Sequence, residues 1–183
     1  MALADLVPRN VTRTPTWRWG MKRAFAAIFV SAMLLGSAAI AAPFLQASST
    51  ETQLATDTKP KIVTMNSTDA TSGITNENGV VTVPEDGTYF LMAAGQVGGT
   101  ARGSVKIWMK INDADVGNSN TIQVIPDPAF TAVLVCQGLA TMKKGDKVTV
   151  AFSSTAPNVG LVLTQPEGEP AVPAIIFSAF KVD

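Results

Sequence analysis

The chain has 183 residues, its 14 cations balance 14 carboxylates, and it contains no histidine and one cysteine. The missing imidazole excludes Ser-His-Asp and Cys-His catalysis, and a single thiol excludes both an intramolecular disulfide and a thiolate-rich zinc site. The charge is unevenly spread: residues 1–23 hold five cations, Arg9, Arg13, Arg18, Lys22 and Arg23, against Asp5, a net +4, so the remainder carries −4.

Residues 1–23 read as a basic cytoplasmic or interfacial arm. Pro8 and Pro15 interrupt any long helix there. Trp17 and Trp19, interleaved with Arg18 and followed by Lys22 and Arg23, are predicted membrane-interface anchors, because indoles and cations favour the headgroup layer. The same arm also suits docking onto another membrane protein.

From Ala24 to Ala42 run 19 residues without a charge, and Pro43-Phe44-Leu45 carries the apolar stretch further. A helix over that run covers roughly 28 Å, the thickness of a hydrocarbon core. The expectation is a transmembrane signal-anchor helix over residues 24–45. A cleaved signal peptide starting at Met21 is the competing reading. Against it stand the 20 residues ahead of Met21, an apolar run longer than a usual signal core, and Pro43 just past the cut. The basic flank keeps the N-terminus in the cytoplasm, which predicts a single-pass protein of a bacterial inner membrane with its C-terminal domain in the periplasm. Within the span, Ala32 and Gly36 lie four residues apart, the spacing of small residues that lets helices approach closely.

Residues 46–60 are rich in Ser and Thr without apolar periodicity, which predicts a polar linker. From Lys61 onward the pattern is β throughout. Asn78-Gly79 and Lys144-Gly145-Asp146 are turn signals, and Pro84-Glu85-Asp86-Gly87 is another. Ser104–Ile111 alternates strictly, placing Val105, Ile107, Met109 and Ile111 on one face and Lys106, Trp108 and Lys110 on the other. Eight to ten strands without a helical window predict an all-β antiparallel two-sheet sandwich over residues 61–183, preceded by the one N-terminal transmembrane helix.

Three landmarks in this region resemble a known superfamily. The run Gly79-Val80-Val81-Thr82-Val83-Pro84-Glu85-Asp86-Gly87-Thr88-Tyr89-Phe90 resembles the early Val-Pro-x-x-Gly-x-Tyr-x-Phe motif of the complement-head and tumour-necrosis-factor-like jelly rolls. Met142 through Val148 resembles their Leu-x-x-Gly-Asp-x-Val turn, and Phe177-Ser178-Ala179-Phe180 their closing Phe-Ser-Gly-Phe strand, with Ala179 in place of the glycine. The resemblance implies a ten-strand jelly roll whose first and last strands pair, often assembled as a trimer through aromatic faces. No collagen-like stalk precedes the domain. Function transfers poorly on such a fold.

The search for chemistry leaves no catalytic, cofactor or metal site. Cys136, within Ala132-Val133-Leu134-Val135-Cys136, reads as a packed structural thiol. Asp113 and Asp115 offer calcium-type oxygens, but Gly117 stands at the third ligand place of an EF-hand loop, so the segment reads as a hairpin tip. Nucleic acid is excluded as a partner by the acidic balance and the lack of a basic patch with stacking aromatics. Trp108, flanked by Lys106 and Lys110, is a candidate partner contact or else is covered by a loop. The reading is a non-catalytic, membrane-anchored accessory subunit whose periplasmic sandwich braces other subunits of a larger membrane complex, respiratory or photosynthetic, in contact with lipid and protein. The alternative is a self-trimerising surface or spike module that binds an external ligand.

Overall fold

A computed structural model describes residues 41–183, which contain fourteen strands and no helix. The expected transmembrane helix lies almost wholly outside the described residues, as do Trp17, Arg18, Trp19, Lys22, Arg23, Ala32 and Gly36. In chain order the strands are β1 Phe44–Ser49, β2 Gln53–Leu54, β3 Lys61–Ile62, β4 Ser67–Ser72, β5 Thr75–Glu77, β6 Val80–Thr82, β7 Gly87–Gly99, β8 Gly103–Ile111, β9 Ala114–Asp115, β10 Thr121–Ile125, β11 Ala132–Met142, β12 Lys147–Ser154, β13 Val159–Leu161 and β14 Ile175–Lys181.

They form two antiparallel sheets. The first runs β2-β13-β7-β14-β1-β4, with β11 on the other edge of β7; the second runs β10-β8-β12-β6-β5, with β3 on β12 and β9 on β8. β7 organises the first sheet. One of its edges pairs with β11 from Gly87 to Val97, and the other pairs with β14 from Tyr89 to Gly95 and then with β13 from Val97 to Gly99.

Alternation explains what each sheet buries. β7 turns Tyr89, Leu91, Ala93 and Val97 inward, and β14 adds Ile175 and Phe177. The second sheet answers with Val105, Ile107 and Met109 from β8 and Val148, Val150 and Phe152 from β12, the face that the strict alternation of Ser104–Ile111 predicts. Burying each such large apolar side chain contributes roughly 1.5–3 kcal/mol. The phenol of fully buried Tyr89 donates to the Glu85 carbonyl at 3.0 Å, so the core carries no stranded hydroxyl there.

The predicted turns form as expected. Asn78 and Gly79 both have positive φ, 51° and 99°, and close the β5–β6 hairpin in the conformation that Asn-Gly favours. The side chain of Asn76 supports the turn by accepting the Gly79 N–H at 2.9 Å.

The boundaries ahead of residue 61 need correction. Residues 44–45 are not the end of a helix and 46–60 are not a linker: Phe44–Ser49 is an interior strand, paired with β14 on one edge and β4 on the other. The polar composition misleads because a strand between two neighbours satisfies its backbone whatever its side chains are, and only Leu45 and Ala47 supply apolar core contacts. The buried hydroxyls are also satisfied. Ser48 donates to the Asp69 carboxylate at 3.1 Å, and Ser49 accepts from the Gln53 amide at 2.9 Å. Gln53 in turn clips the chain at Thr64 through two bonds of 2.8 Å, one to its carbonyl and one from its N–H.

Candidate protein-binding surface

The inward alternation of the first sheet has an outward counterpart, and on this sheet it is apolar. Register aligns Leu139 of β11, Phe90 of β7, Phe180 of β14 and Phe44 of β1 in one line across four adjacent strands. A further line holds Val135, Ala94 and Ile176. Leu139 is 64% exposed and Phe180 43%, although both sit amid regular strands. A row of Gln137, Met92, Ser178 and Gln46 separates the two lines, so the face carries two exposed apolar rows, a pattern that fits contact with another protein better than scattered surface hydrophobes. The aromatic members are already in contact with each other: the Phe90 and Phe180 rings lie 5.2 Å apart at 36°.

This surface continues to the side of the sandwich. β11 and β10 are the end strands of their respective sheets and follow each other in the chain. Val133 on β11 is 62% exposed, and Ile122 and Val124 on β10 are exposed as well. Alternation puts Val133 on the same outward face as Val135 and Leu139, whereas Ile122 and Val124, the register partners of Lys106 and Ser104, lie on the outer face of the second sheet. Sequence reasoning named Phe90 and Phe180 as motif residues but singled out none of these residues as a surface. The signal was present in β14, where Ile175-Ile176-Phe177 and Phe180 place apolar groups on both faces of one strand, more than a single core requires.

The sequence-derived candidates Lys106, Trp108 and Lys110 lie on the outer face of the second sheet. The Trp108 indole N–H donates to the Asp115 carboxylate at 2.8 Å, and Lys110 forms an ion pair with the same oxygen at 2.6 Å. The β8–β9 hairpin thus folds Asp115 over this face and leaves Trp108 half-buried. Both contacts hold the Asp115 carboxyl below its ordinary range, the Lys110 bond more strongly than the indole. Lys106 is exposed and has no carboxylate partner among the described residues. Asp113 sits in the turn of the same hairpin with φ 67°, and among the described residues no group of three or more His, Cys, Asp or Glu side chains clusters. Cys136 points into the core, where burial pushes its thiol up to about 11.

The three motifs that carry the family resemblance are structural cross-ties, two of them joined at one end of the sandwich. Asp86 accepts the Lys144 N–H at 2.8 Å, and the Gly145 N–H donates to the Val83 carbonyl at 2.9 Å. Asp146 accepts from the Lys143 N–H at 2.8 Å and from the Asn112 amide at 2.9 Å, which lower its carboxyl pKa in that order. From the third motif's strand, Lys181 reaches Glu85 at 2.8 Å. Their chemistry is that of turns and strand ends.

Comparison with known proteins agrees with this. No protein-family model matches the chain, and no curated protein sequence matches it. Among solved structures the chain is similar to the globular domain of the zebrafish complement 1qA protein, with 16% identity and a TM-score of 0.51 over 77% of this chain and 98% of that one. It is also similar to murine APRIL at pH 5.0, with 12% identity and a TM-score of 0.53 over 77% of this chain and 99% of that one. The resemblance to the complement-head and tumour-necrosis-factor-like jelly rolls holds at the level of fold.

Proposed function

We propose that this chain is a non-catalytic binding protein that works as a homotrimer, packed through the outer face of its first sheet. The observation that carries the reading is the line Leu139–Phe90–Phe180–Phe44, exposed except for half-buried Phe90, with Val135 and Ile176 on the same face beyond the row of Gln137, Met92 and Ser178. A second copy fits this face because the chain also supplies a different apolar surface, Ile122 and Val124 of β10 on the outer face of the second sheet. A contact between unlike patches is head-to-tail, and such contacts close into a ring when the rotation between copies closes, and otherwise extend as a filament. The trimer implied by the fold resemblance is such a ring. The non-catalytic part is supported by the absence of histidine and by the one thiol being buried with its pKa raised to about 11.

The apolar run Ala24–Ala42 supports anchoring in a bacterial inner membrane with the sandwich on the periplasmic side. Because β1 begins at Phe44, two residues beyond Ala42, such an anchor would carry no spacer. That favours a second reading, in which the sandwich braces neighbouring subunits of a membrane complex.

Mild-detergent extraction followed by native mass measurement separates the two. A homotrimer of the full chain is the expected species. Migration with other membrane subunits supports the bracing role, and an isolated monomer overturns both. N-terminal mass determination tests the anchor: a mature chain beginning near Ala42 would end that part of the reading.

A further inference from the structure

The second sheet carries two clefts of opposite character. One, of about 240 Å³, is lined by Val80, Asn112, Asp113, Lys147 and Thr149, so it mixes a carboxylate with an ammonium. The other, of about 270 Å³, is lined by Thr58, Ser104, Lys106, Ser153, Ser154 and Thr155. Its side chains end in five hydroxyls and one ammonium, with no carboxylate and no aromatic ring.

We propose that this hydroxyl-lined cleft binds a phosphate or sulfate group. The local sequence departs from what the sheet needs in order to create it. β12 carries Val148, Val150, Ala151 and Phe152 with only Thr149 among them, then changes to Ser153-Ser154, followed by Thr155, where it passes the start of β8. Register sets Ser153 beside Lys106, and the Ser104 N–H donates to the Thr155 hydroxyl at 2.9 Å, closing the floor. The loop before β3 brings Thr58 to the wall.

Ser154 and Ser104 are engaged, and the other donors are available. Ser154 is committed to the Ala156 carbonyl at 2.8 Å, and Ser104 shares a long bond of 3.4 Å with Thr155. Thr155 uses its oxygen as an acceptor from Ser104, which leaves its proton free to turn outward. Lys106, Ser153 and Thr58 have no side-chain hydrogen-bond partner among the described residues. A cation with convergent hydroxyl donors is the complement of a compact oxyanion, whose oxygens accept several short bonds at once. The lack of an aromatic platform argues against a sugar ring or a base as the recognised group. In sequence the lining is flanked by Arg102 and Lys59 as well as Asp57, whose carboxylate is engaged by the Lys59 backbone N–H at 2.9 Å.

The test is a titration of the full chain in detergent micelles with inorganic phosphate and with sulfate, followed by amide NMR shifts, with sodium chloride at matched ionic strength as the control. Saturable shifts confined to Ser104, Lys106, Ser153 and Thr155 are expected. The midpoint should rise about tenfold or more in Lys106→Met, the loss of one charge-assisted bond. Ser153→Ala should raise it by a smaller factor, and it decides the matter if Lys106→Met disturbs the fold. No saturation by about 50 mM, where even a millimolar site is full, overturns the proposal. So does an equal response to chloride, or indifference to both substitutions. Anion titration reads the cleft and native mass measurement reads the assembly, so failure of the cleft leaves the trimer reading standing.

Discussion

Phe90 and Phe180 lie side by side across β7 and β14 with ring centroids 5.2 Å apart, on the face of the sheet that points away from the core. Two aromatic rings packed against each other in solvent-facing positions leave apolar surface that water solvates poorly. If three copies cover it, charge placed there must break the assembly without touching the interior. Phe180→Asp and Leu139→Asp are each expected to convert the trimer to monomer in sedimentation or native mass measurement, with the near-ultraviolet dichroism of the fold retained. A trimer surviving both substitutions would contradict the proposed interface.

Cys136 links stability to alkaline pH. Its pKa is raised by burial from 9.0 to about 11, so the unfolded chain loses the thiol proton first. Its contribution is full below pH 9 and is lost as pH rises towards 11, with a slope of up to about 1.4 kcal/mol per pH unit. Denaturant unfolding at a series of pH values should show this decline, and Cys136→Ala should flatten it. A native thiol that reacts with a disulfide reagent as fast as the unfolded chain would contradict the burial.

Two glycines should respond oppositely to alanine. At Gly79, with φ 99°, an added Cβ would stand 2.3 Å from the Val63 carbonyl oxygen, so both backbone strain and a clash oppose it. Gly79→Ala is expected to destabilise by about 2–4 kcal/mol. At Gly138 in the middle of β11 nothing lies within 4 Å of the added atom. There Gly138→Ala should be neutral or stabilise by up to about 1 kcal/mol, because it restricts only the unfolded chain. Urea midpoints measured in parallel check the contrast.

The β8–β9 hairpin tests the role of Trp108. Asp115→Asn removes the ion pair with Lys110 and weakens the acceptor for the indole. The fold should persist, since the carboxylate is on the surface, while Trp108 becomes more accessible to acrylamide in a background where Trp17 and Trp19 are phenylalanine. Because Trp108 is held under Asp115 and is no part of the Leu139–Phe90–Phe180–Phe44 row, Trp108→Ala should leave the trimer assembled. Dissociation on that substitution would move the interface to the other face.

Much of the fold is legible residue by residue. The alternation Val105, Ile107, Met109 against Lys106, Trp108, Lys110 is the observed inside and outside of β8. Asn78-Gly79 and Gly145 sit in the turns their chemistry requires. β1 and β4 were not legible, because Gln46-Ala47-Ser48-Ser49 and Ser67-Thr68-Asp69-Ala70 carry too little apolar pattern to announce a strand. Their place is set by pairing with each other and of β1 with β14, a contact between residues more than a hundred positions apart.

The sequence by itself determined the class of the protein: a β-sandwich chain without imidazole, with one inert thiol, a basic head and one long apolar run. These follow from composition and short-range period, which involve only near neighbours. The tertiary structure alone decided which apolar side chains are core and which are surface. Leu139 and Leu134 differ little as text, yet one points out from β11 and the other in, and only the sheet register brings Leu139 into line with Phe90, Phe180 and Phe44. An exposed apolar row of this kind is a long-range property, because its members come from four strands that backbone hydrogen bonds align side by side.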